Sequence, residues 1–301
     1  MQNKEADRNI KIKGLVSCII PTYKRSDTLL RAVNSVLAQT YHNIEVLVVD
    51  DNNPNDEYSL ATQEKIKTIS DSRIRYILQK KHINGAVARN EGIKKAKGEF
   101  VAFLDDDDEW LPNKIEEQVE FLNKNLQIDG VSCLYSIKNR GEIVRVCKPY
   151  TGEQLHKKVL DRSVSVFTTT ILVRRKALDE AGYFDENLLR HQDLQLLLDF
   201  LYYHNMGVIE DYLAILHSDS EINHPDVKKM IEVKETFFDK CRKHMQKYSI
   251  SEQKQIMAAH YFEIVVAAIR NKNMFIAFKY ILKIGINPKA YKNVFRRWKS
   301  R

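Results

Sequence analysis

The feature that most constrains the fold is the segment at residues 98–110, GEFVAFLDDDDEW, where an apolar run leads into four consecutive aspartates. The run from Glu99 to Leu104 is apolar almost throughout, which is typical of a strand buried on both faces of a parallel sheet. In open α/β sheets, ligands bind beyond the carboxyl ends of the strands. The segment therefore predicts a buried strand that delivers carboxylates to a ligand site at its own end.

Adjacent aspartates repel one another, and a bound cation relieves that repulsion. A set of ligands made only of oxygen suits a hard divalent ion such as Mg²⁺ or Mn²⁺. The alternative is a solvated acidic loop, which is the usual role of a run of charges. The flanking sequence favours the cation, because a buried strand precedes the run and Trp110, Leu111 and Pro112 open a helix after it.

The sequence before the aspartates alternates between strand and helix patterns, with strands at 15–21, 44–51 and 74–78 and helices at 26–39, at 58–70 and from Gly85. This order predicts an α/β fold with a parallel, Rossmann-like sheet. The strand at 44–51 also ends in two aspartates, which indicates a site shared between strands. Neither GxGxxG nor GxxxxGK[ST] occurs, so side chains and a metal would have to replace a glycine-rich phosphate loop.

After the aspartates, the patterns predict a helix at 113–125, strands at 131–137 and 165–173, and a polar stretch of irregular strands or mobile loop at 138–163. Asp193 begins a strongly apolar helix. A carboxylate there has an ordinary explanation as a helix cap, and a single histidine such as His217 is more often structural than a ligand.

Composition indicates a soluble globular protein, because 44% of the 301 residues are hydrophobic, enough for a sizeable core. The four cysteines form no CxxC pair, so the spacing favours neither a disulfide framework nor a zinc site. No charged and apolar leader opens the chain, and the apolar run at 264–269 is too short to span a bilayer. We therefore expect a cytoplasmic enzyme.

The positive charge is concentrated in the tail, since residues 251–301 hold 11 Lys and Arg against 2 Glu. Patterns predict helices at 226–248, 252–270 and 274–284 and a final one at 289–301, with an aromatic face flanked by basic residues. Such a helix suits an anionic membrane surface. Packing on the catalytic domain is the alternative, and nucleic acid is disfavoured because the tail has no reader motif.

Three blocks in this order resemble family 2 glycosyltransferases of the bacterial polysaccharide or capsule type, which have the GT-A fold. They begin at Val16 with VSCIIPTYKRSDTLL, at Gly85 with GAVARNEGIKKAKGEFVAFLDDDDEW and at Gly182 with GYFDENLLRHQDLQLLL, and the similarity covers about residues 15–220. The resemblance implies transfer of a sugar, with inversion, from a nucleotide-diphosphate sugar, usually UDP-linked, to an acceptor hydroxyl.

The resemblance also implies roles for individual residues. Asp193 takes the position of the catalytic base, with Gln192 where the family commonly has an acid. The expected nucleotide-binding residues are Pro21, Thr22, Tyr23, Arg25, Asp51, Arg89, Asp105 and Asp106, and the expected ligands of Mn²⁺ or Mg²⁺ are Asp107, Asp105 and His217. No role is assigned to Asp108.

The expected domains are a catalytic domain at 1–222, with a nucleotide-binding half at about 14–110 and an acceptor half at about 111–222, and a helical, basic extension at 223–301. The expected partners are a nucleotide sugar, a glycan or lipid-linked glycan acceptor and, through the tail, the inner face of the cell membrane. Two alternatives stay open, a sugar-phosphate nucleotidyltransferase and a non-catalytic binding or assembly subunit. The sequence names neither the sugar nor the acceptor.

Overall fold

The computed structural model describes residues 11–188, 190–218 and 226–285. Its strands are β1 Ile12–Thr22, β2 Ile44–Asp50, β3 Ile74–Leu78, β4 Gly98–Phe103, β5 Glu109–Trp110, β6 Gly130–Asn139, β7 Glu142–Val146, β8 Ile171–Arg174 and β9 Met206–His217. Within the described residues these nine strands form one sheet in the order β3-β2-β1-β4-β8-β6-β9-β5, and β7 pairs with β6.

The helices flank and follow these strands. They are α1 Ser26–Leu37, α2 Glu57–Lys67, α3 Gly85–Lys95, α4 Lys114–Lys124, α5 Leu155–Leu160, α6 Arg175–Ala181, α7 Gln192–Tyr203, α8 Val227–Lys240, α9 Arg242–Met245, α10 Ile250–Arg270 and α11 Met274–Ile284. Among the described residues, no helix is both long enough and apolar enough to cross a membrane.

The N-terminal half of the sheet is parallel, as predicted. Strand β1 lies between β2 and β4, and β3 pairs with the outer side of β2. All seven residues of β2 are buried, and in β4 only Glu99 is partly exposed. The second half is mixed, because β8 runs antiparallel to both β4 and β6 while β9 runs parallel to β6.

Several local predictions need correction. Strand β1 continues through Pro21 to Thr22, and this is tolerated because pairing with β4 ends at Ile19 while pairing with β2 continues. The helix predicted at 26–39 begins at Ser26 and ends at Leu37, and its cap, Arg25, makes no side-chain capping hydrogen bond. The stretch predicted as a strand at 165–173 contains a 3₁₀ turn, Thr168–Thr170, before β8. The stretch at 138–163 holds the regular elements β7 and α5.

The chain divides into two compact units whose segments alternate along the sequence. The first comprises the described parts of Met1–Gly152, Val166–Glu186 and Tyr203–Ser220, and the second those of Glu153–Ser165, Asn187–Tyr202 and Glu221–Arg301. All strands of the sheet belong to the first unit, and α7 belongs to the second together with α8, α10 and α11. The helix predicted at 289–301 lies outside the described residues.

Candidate active site

A cleft of about 340 Å³ opens at the carboxyl ends of β1, β2 and β4. Parallel neighbours end at the same edge of a sheet, so the residues that follow these strands meet there. The volume lies within the range of sites for small molecules. All eight residues predicted to bind the nucleotide line the cleft, namely Pro21, Thr22, Tyr23, Arg25, Asp51, Arg89, Asp105 and Asp106. The other lining residues are His82, Gly85 and Ala88.

One end of the cleft combines a flat aromatic surface with a buried carboxylate. The ring of Tyr23 stacks on that of His82, with centroids 3.9 Å apart and planes 12° apart. The Nδ1 atom of His82 lies 2.9 Å from Asp51 Oδ2 and 3.0 Å from the Asp51 carbonyl oxygen. Both neighbours are acceptors, so Nδ1 carries the proton and donates it. This end can bind a planar heterocycle that offers N–H donors.

Asp51 is held in this position by its own neighbours. It is 2% exposed and accepts hydrogen bonds from the Gln79 side chain at 2.6 Å and the Ile83 main chain at 3.3 Å. Burial raises the pKa of the Asp51 carboxyl, and the contacts with Ile83 and His82 oppose that rise. His82 was not among the predicted site residues, although its place shortly after the carboxyl end of β3 is the signal that could have indicated it.

The other end of the cleft holds the aspartates and two arginines. Arg89 Nη2 lies 2.5 Å from Asp105 Oδ1, while Arg25 Nη1 lies 3.2 Å from Asp106 Oδ1 and 2.6 Å from Asp107 Oδ2. Burial raises the pKa of Asp106 to about 6 and also raises that of Asp107, in both cases against the effect of Arg25. These buried carboxylates are costly to ionise, so further positive charge would stabilise them.

Asp108, for which the sequence indicated no role, links distant segments of the first unit. Its carboxylate accepts a hydrogen bond from the Thr169 hydroxyl at 2.9 Å and another from the His217 main-chain N–H at 3.0 Å. Burial, with the charges of Asp105 and Asp107, raises its pKa to about 8. Asp108 therefore ties the end of β4 to the 3₁₀ turn and to the end of β9.

The residues predicted to bind a metal are only partly brought together. Asp105 lines the cleft, whereas Asp107 and His217 are not among its lining residues. The His217 imidazole lies 3.7 Å from Glu109 Oε2. Within the described ranges, no group of three or more His, Cys, Asp or Glu side chains is arranged to hold a metal. The carboxylates of Asp105 and Asp107 fit an ion such as Mg²⁺, which usually binds one or two carboxylates and takes its other ligands from phosphates and water.

Asp193, the predicted base, belongs to the second unit. It is the second residue of α7 and is partly exposed. The side chain of the preceding Gln192 donates a hydrogen bond to the Leu188 carbonyl oxygen at 2.6 Å. The glutamine at this position is therefore engaged in the loop that leads into the helix.

Known proteins match the chain in sequence. Residues 17–182 match the family described as "Glycosyl transferase family 2". The chain is 33% identical over 195 residues to UDP-Glc:alpha-D-GlcNAc-diphosphoundecaprenol beta-1,3-glucosyltransferase WfgD of Escherichia coli, covering 65% of this chain and 73% of that protein.

Solved structures share the fold at low sequence identity. S. aureus TarS 1–349 in complex with UDP-GlcNAc gives a TM-score of 0.61 at 18% identity, over 93% of this chain and 78% of that one. Mannosyltransferase PcManGT from Pyrobaculum calidifontis in complex with GDP-Man and Mn²⁺ gives 0.55 at 14% identity, over 94% and 79%. At these identities the likeness shows the fold alone.

Proposed function

The chain belongs to glycosyltransferase family 2, and from this premise we propose that it transfers a hexose from a UDP-sugar to a hydroxyl of a lipid-linked glycan, with inversion and with a divalent cation. The observation that carries the proposal is the cleft itself, where a stacked aromatic pair and Asp51 lie at one end and arginine-paired aspartates at the other. These two ends match a nucleoside diphosphate, whose planar base can stack on the aromatic pair and whose phosphates can bind the arginines.

The aromatic end suits uracil. Tyr23 is 37% exposed and stacks on His82, and the Lys24 ammonium lies 5.2 Å from its ring centroid, so this aromatic pair offers a base a stacking surface beside a positive charge. Asp51 accepts hydrogen bonds only, which matches the N–H of uracil or the hydroxyls of ribose. The relative WfgD uses UDP-glucose according to its name, and this similarity favours a UDP-linked donor here as well.

The arginine and aspartate end suits a diphosphate with a cation. Arg89 and Arg25 can each turn a guanidinium N–H to a phosphate oxygen, because guanidinium binds phosphate and carboxylate in the same way. We assign Asp105 and Asp107 as the residues that would hold Mg²⁺ or Mn²⁺. We leave His217 out of this set because its imidazole lies 3.7 Å from Glu109 Oε2, whereas Asp107 shares the Arg25 guanidinium with Asp106 of the cleft.

In the proposed reaction, the acceptor oxygen attacks the anomeric carbon and the bond from that carbon to the diphosphate breaks. The electron pair of that bond leaves with the diphosphate, and Asp193 takes the proton of the acceptor hydroxyl. Proton transfer to a base such as Asp193 raises the rate on the order of 10² to 10⁴ fold. The cation, when bound, supplies positive charge that favours the departing diphosphate. Inversion in one step requires no nucleophile on the protein.

We assign donor binding to about residues 14–110, acceptor binding to about 111–222, and a location at the inner face of the membrane to the extension at 223–301. The described part of that extension offers one supporting feature. On α11 the side chains of Met274, Phe275, Phe278 and Leu282 are 65%, 80%, 62% and 65% exposed, and α11 carries lysines but no acidic residue. Exposed apolar side chains with basic neighbours suit an anionic lipid surface.

Calorimetry tests the donor site. UDP and a panel of UDP-hexoses are titrated with Mn²⁺ and again with EDTA, and we expect binding that tightens at least tenfold with the metal and favours one hexose. Asp107→Ala should lose the gain from Mn²⁺ and keep the affinity measured in EDTA. Absence of UDP binding in both conditions would contradict the proposed donor.

A further inference from the structure

A buried lysine in the second unit binds the segment that leads into the helix of Asp193. Lys234, on α8, is 1% exposed. Its ammonium lies 3.0 Å from His191 Nε2 and 3.1 Å from His260 Nδ1, and it forms an ion pair with Glu263. An ammonium has three N–H donors, which it can direct to these groups. We call Lys234, His191, His260 and Glu263 the lysine cluster.

The contacts of the lysine cluster define its protonation. The Nε2 atom of His260 lies 2.9 Å from the Leu160 carbonyl oxygen, which can only accept, so Nε2 carries the proton and Nδ1 accepts from Lys234. Burial and the charge of Lys234 hold the pKa of both His191 and His260 well below the usual range. Both imidazoles are therefore neutral acceptors, and Glu263 carries the negative charge that faces Lys234 and, at 3.4 Å, Arg162.

His191 has a backbone conformation that needs such support. Its φ is +64°, in the left-handed region that is costly for residues other than glycine. Its ring packs edge-on against Phe237, with centroids 5.5 Å apart. Its carbonyl oxygen accepts the Gln195 N–H at 2.8 Å, so His191 sets the direction of the first turn of α7. Strained conformations of this kind persist where the surroundings determine them.

We propose that Lys234 is a positioning residue for sugar transfer. By holding His191 in the left-handed conformation, it orients the first turn of α7 and with it Asp193, two residues further on. The inference rests on the proposed role of Asp193 as the base. It also gives α8 and α10 a part in catalysis, because they supply Lys234, His260 and Glu263.

The test uses the full-length protein and transfer from the UDP-hexose that calorimetry selects to a synthetic GlcNAc-diphospholipid. The variants are His191→Phe, which keeps the ring and loses the acceptor, and Lys234→Met, which loses the donors at similar length. Lys234→Met leaves Glu263 with Arg162, whose Nε lies 3.4 Å from its Oε1, but without the closer lysine. Lys234→Met with Glu263→Gln therefore removes both charges of the Lys234–Glu263 pair. If the lysine variants do not fold, His191→Phe decides, because it leaves the ion pair intact.

We expect each folded variant to lower kcat by about 10 to 100 fold, as a small misplacement of a catalytic group does, with UDP affinity unchanged within twofold. His191→Phe combined with Lys234→Met should lower kcat no further than either alone, because both break one interaction. The control is Lys243→Met. It removes a 2.6 Å ion pair with Asp199, a residue of α7 that lies beyond the first turn of that helix. Its kcat should stay within twofold of wild type.

The outcomes separate this inference from the proposed function. If Asp193→Asn is inactive while folded His191→Phe and the lysine variants keep full kcat, the positioning role is wrong and the base assignment stands. An equal loss of kcat in Lys243→Met would also overturn the positioning role, because any weakened contact of α7 would then be enough to lower kcat. If Asp193→Asn keeps full activity, the base assignment itself fails.

Discussion

Replacing Asp106 with asparagine should stabilise the protein at neutral and alkaline pH in the absence of a cation. Asp106 is 5% exposed, and burial raises its pKa from 3.8 to about 6. A raised carboxyl pKa means that stability is complete below the unfolded pKa and is lost as the pH rises through the folded one. The rise is roughly two pKa units, so the difference in titration of Asp106 between the folded and unfolded states lowers the unfolding free energy by about 3 kcal/mol at pH 8 and by about 1 kcal/mol at pH 4.5.

The uncharged asparagine does not bear this cost, so the advantage of Asp106→Asn should grow by about 2 kcal/mol between pH 4.5 and pH 8. Effects of the amide that do not depend on pH cancel in that difference. The assay is urea unfolding with EDTA at pH 4.5, 6 and 8, followed by the fluorescence of buried Trp110 in a Trp298→Phe background.

Asp71→Asn is the control of opposite sign. Hydrogen bonds from Arg73 lower the pKa of Asp71 to about 2. The contribution of Asp71 to the free energy of unfolding is therefore lost only as the pH falls below the measured range. We expect this variant to show a constant effect from pH 4.5 to pH 8. An advantage of Asp106→Asn that is equally constant over this range would refute the argument that burial makes the ionised carboxylate costly.

Three further predictions follow from the proposed site. Asp193→Asn should lower kcat by about 10² to 10⁴ fold with UDP affinity unchanged by calorimetry, and full activity would exclude Asp193 as the base. Asp51→Asn should weaken UDP binding about tenfold or more, the typical effect of losing a charged hydrogen-bond acceptor, and equal affinity would remove Asp51 from the base pocket. Phe275→Ser with Phe278→Ser should reduce co-sedimentation with anionic vesicles and spare transfer to a soluble acceptor; unchanged co-sedimentation would exclude this face of α11.

Much of the fold could be predicted because it depends on local patterns. The apolar runs of β1, β2 and β4 are long enough to identify buried strands, and the structure places all three there. The rule that ligands bind at the carboxyl ends of parallel strands then indicated which residues meet. That rule needs only the chain order, which explains why it brings the aspartates after β2 and β4 to one edge. Tyr23 and the arginines were assigned to the same place through the family resemblance, and they line the cleft as well.

Local errors have an equally local cause. Helix caps and strand ends depend on single side chains, and these side chains can bind elsewhere. Arg25 shows this, since it occupies the cap of α1 while its guanidinium pairs with Asp106 and Asp107. Patterns of hydrophobicity contain no information about such a choice.

The sequence by itself therefore determined the class of fold, because periodicity and strand order decide it. Its motif blocks also indicated the family and, through the resemblance, the carboxylates and arginines that line the cleft. Only the tertiary structure decided the partners of side chains from distant segments. Asp108 binds Thr169 and His217, and His82 enters the cleft by stacking on Tyr23. His191, His260 and Glu263, which contact Lys234, are likewise far from it in the chain. Such contacts form between residues that no local pattern relates, so packing alone selects them.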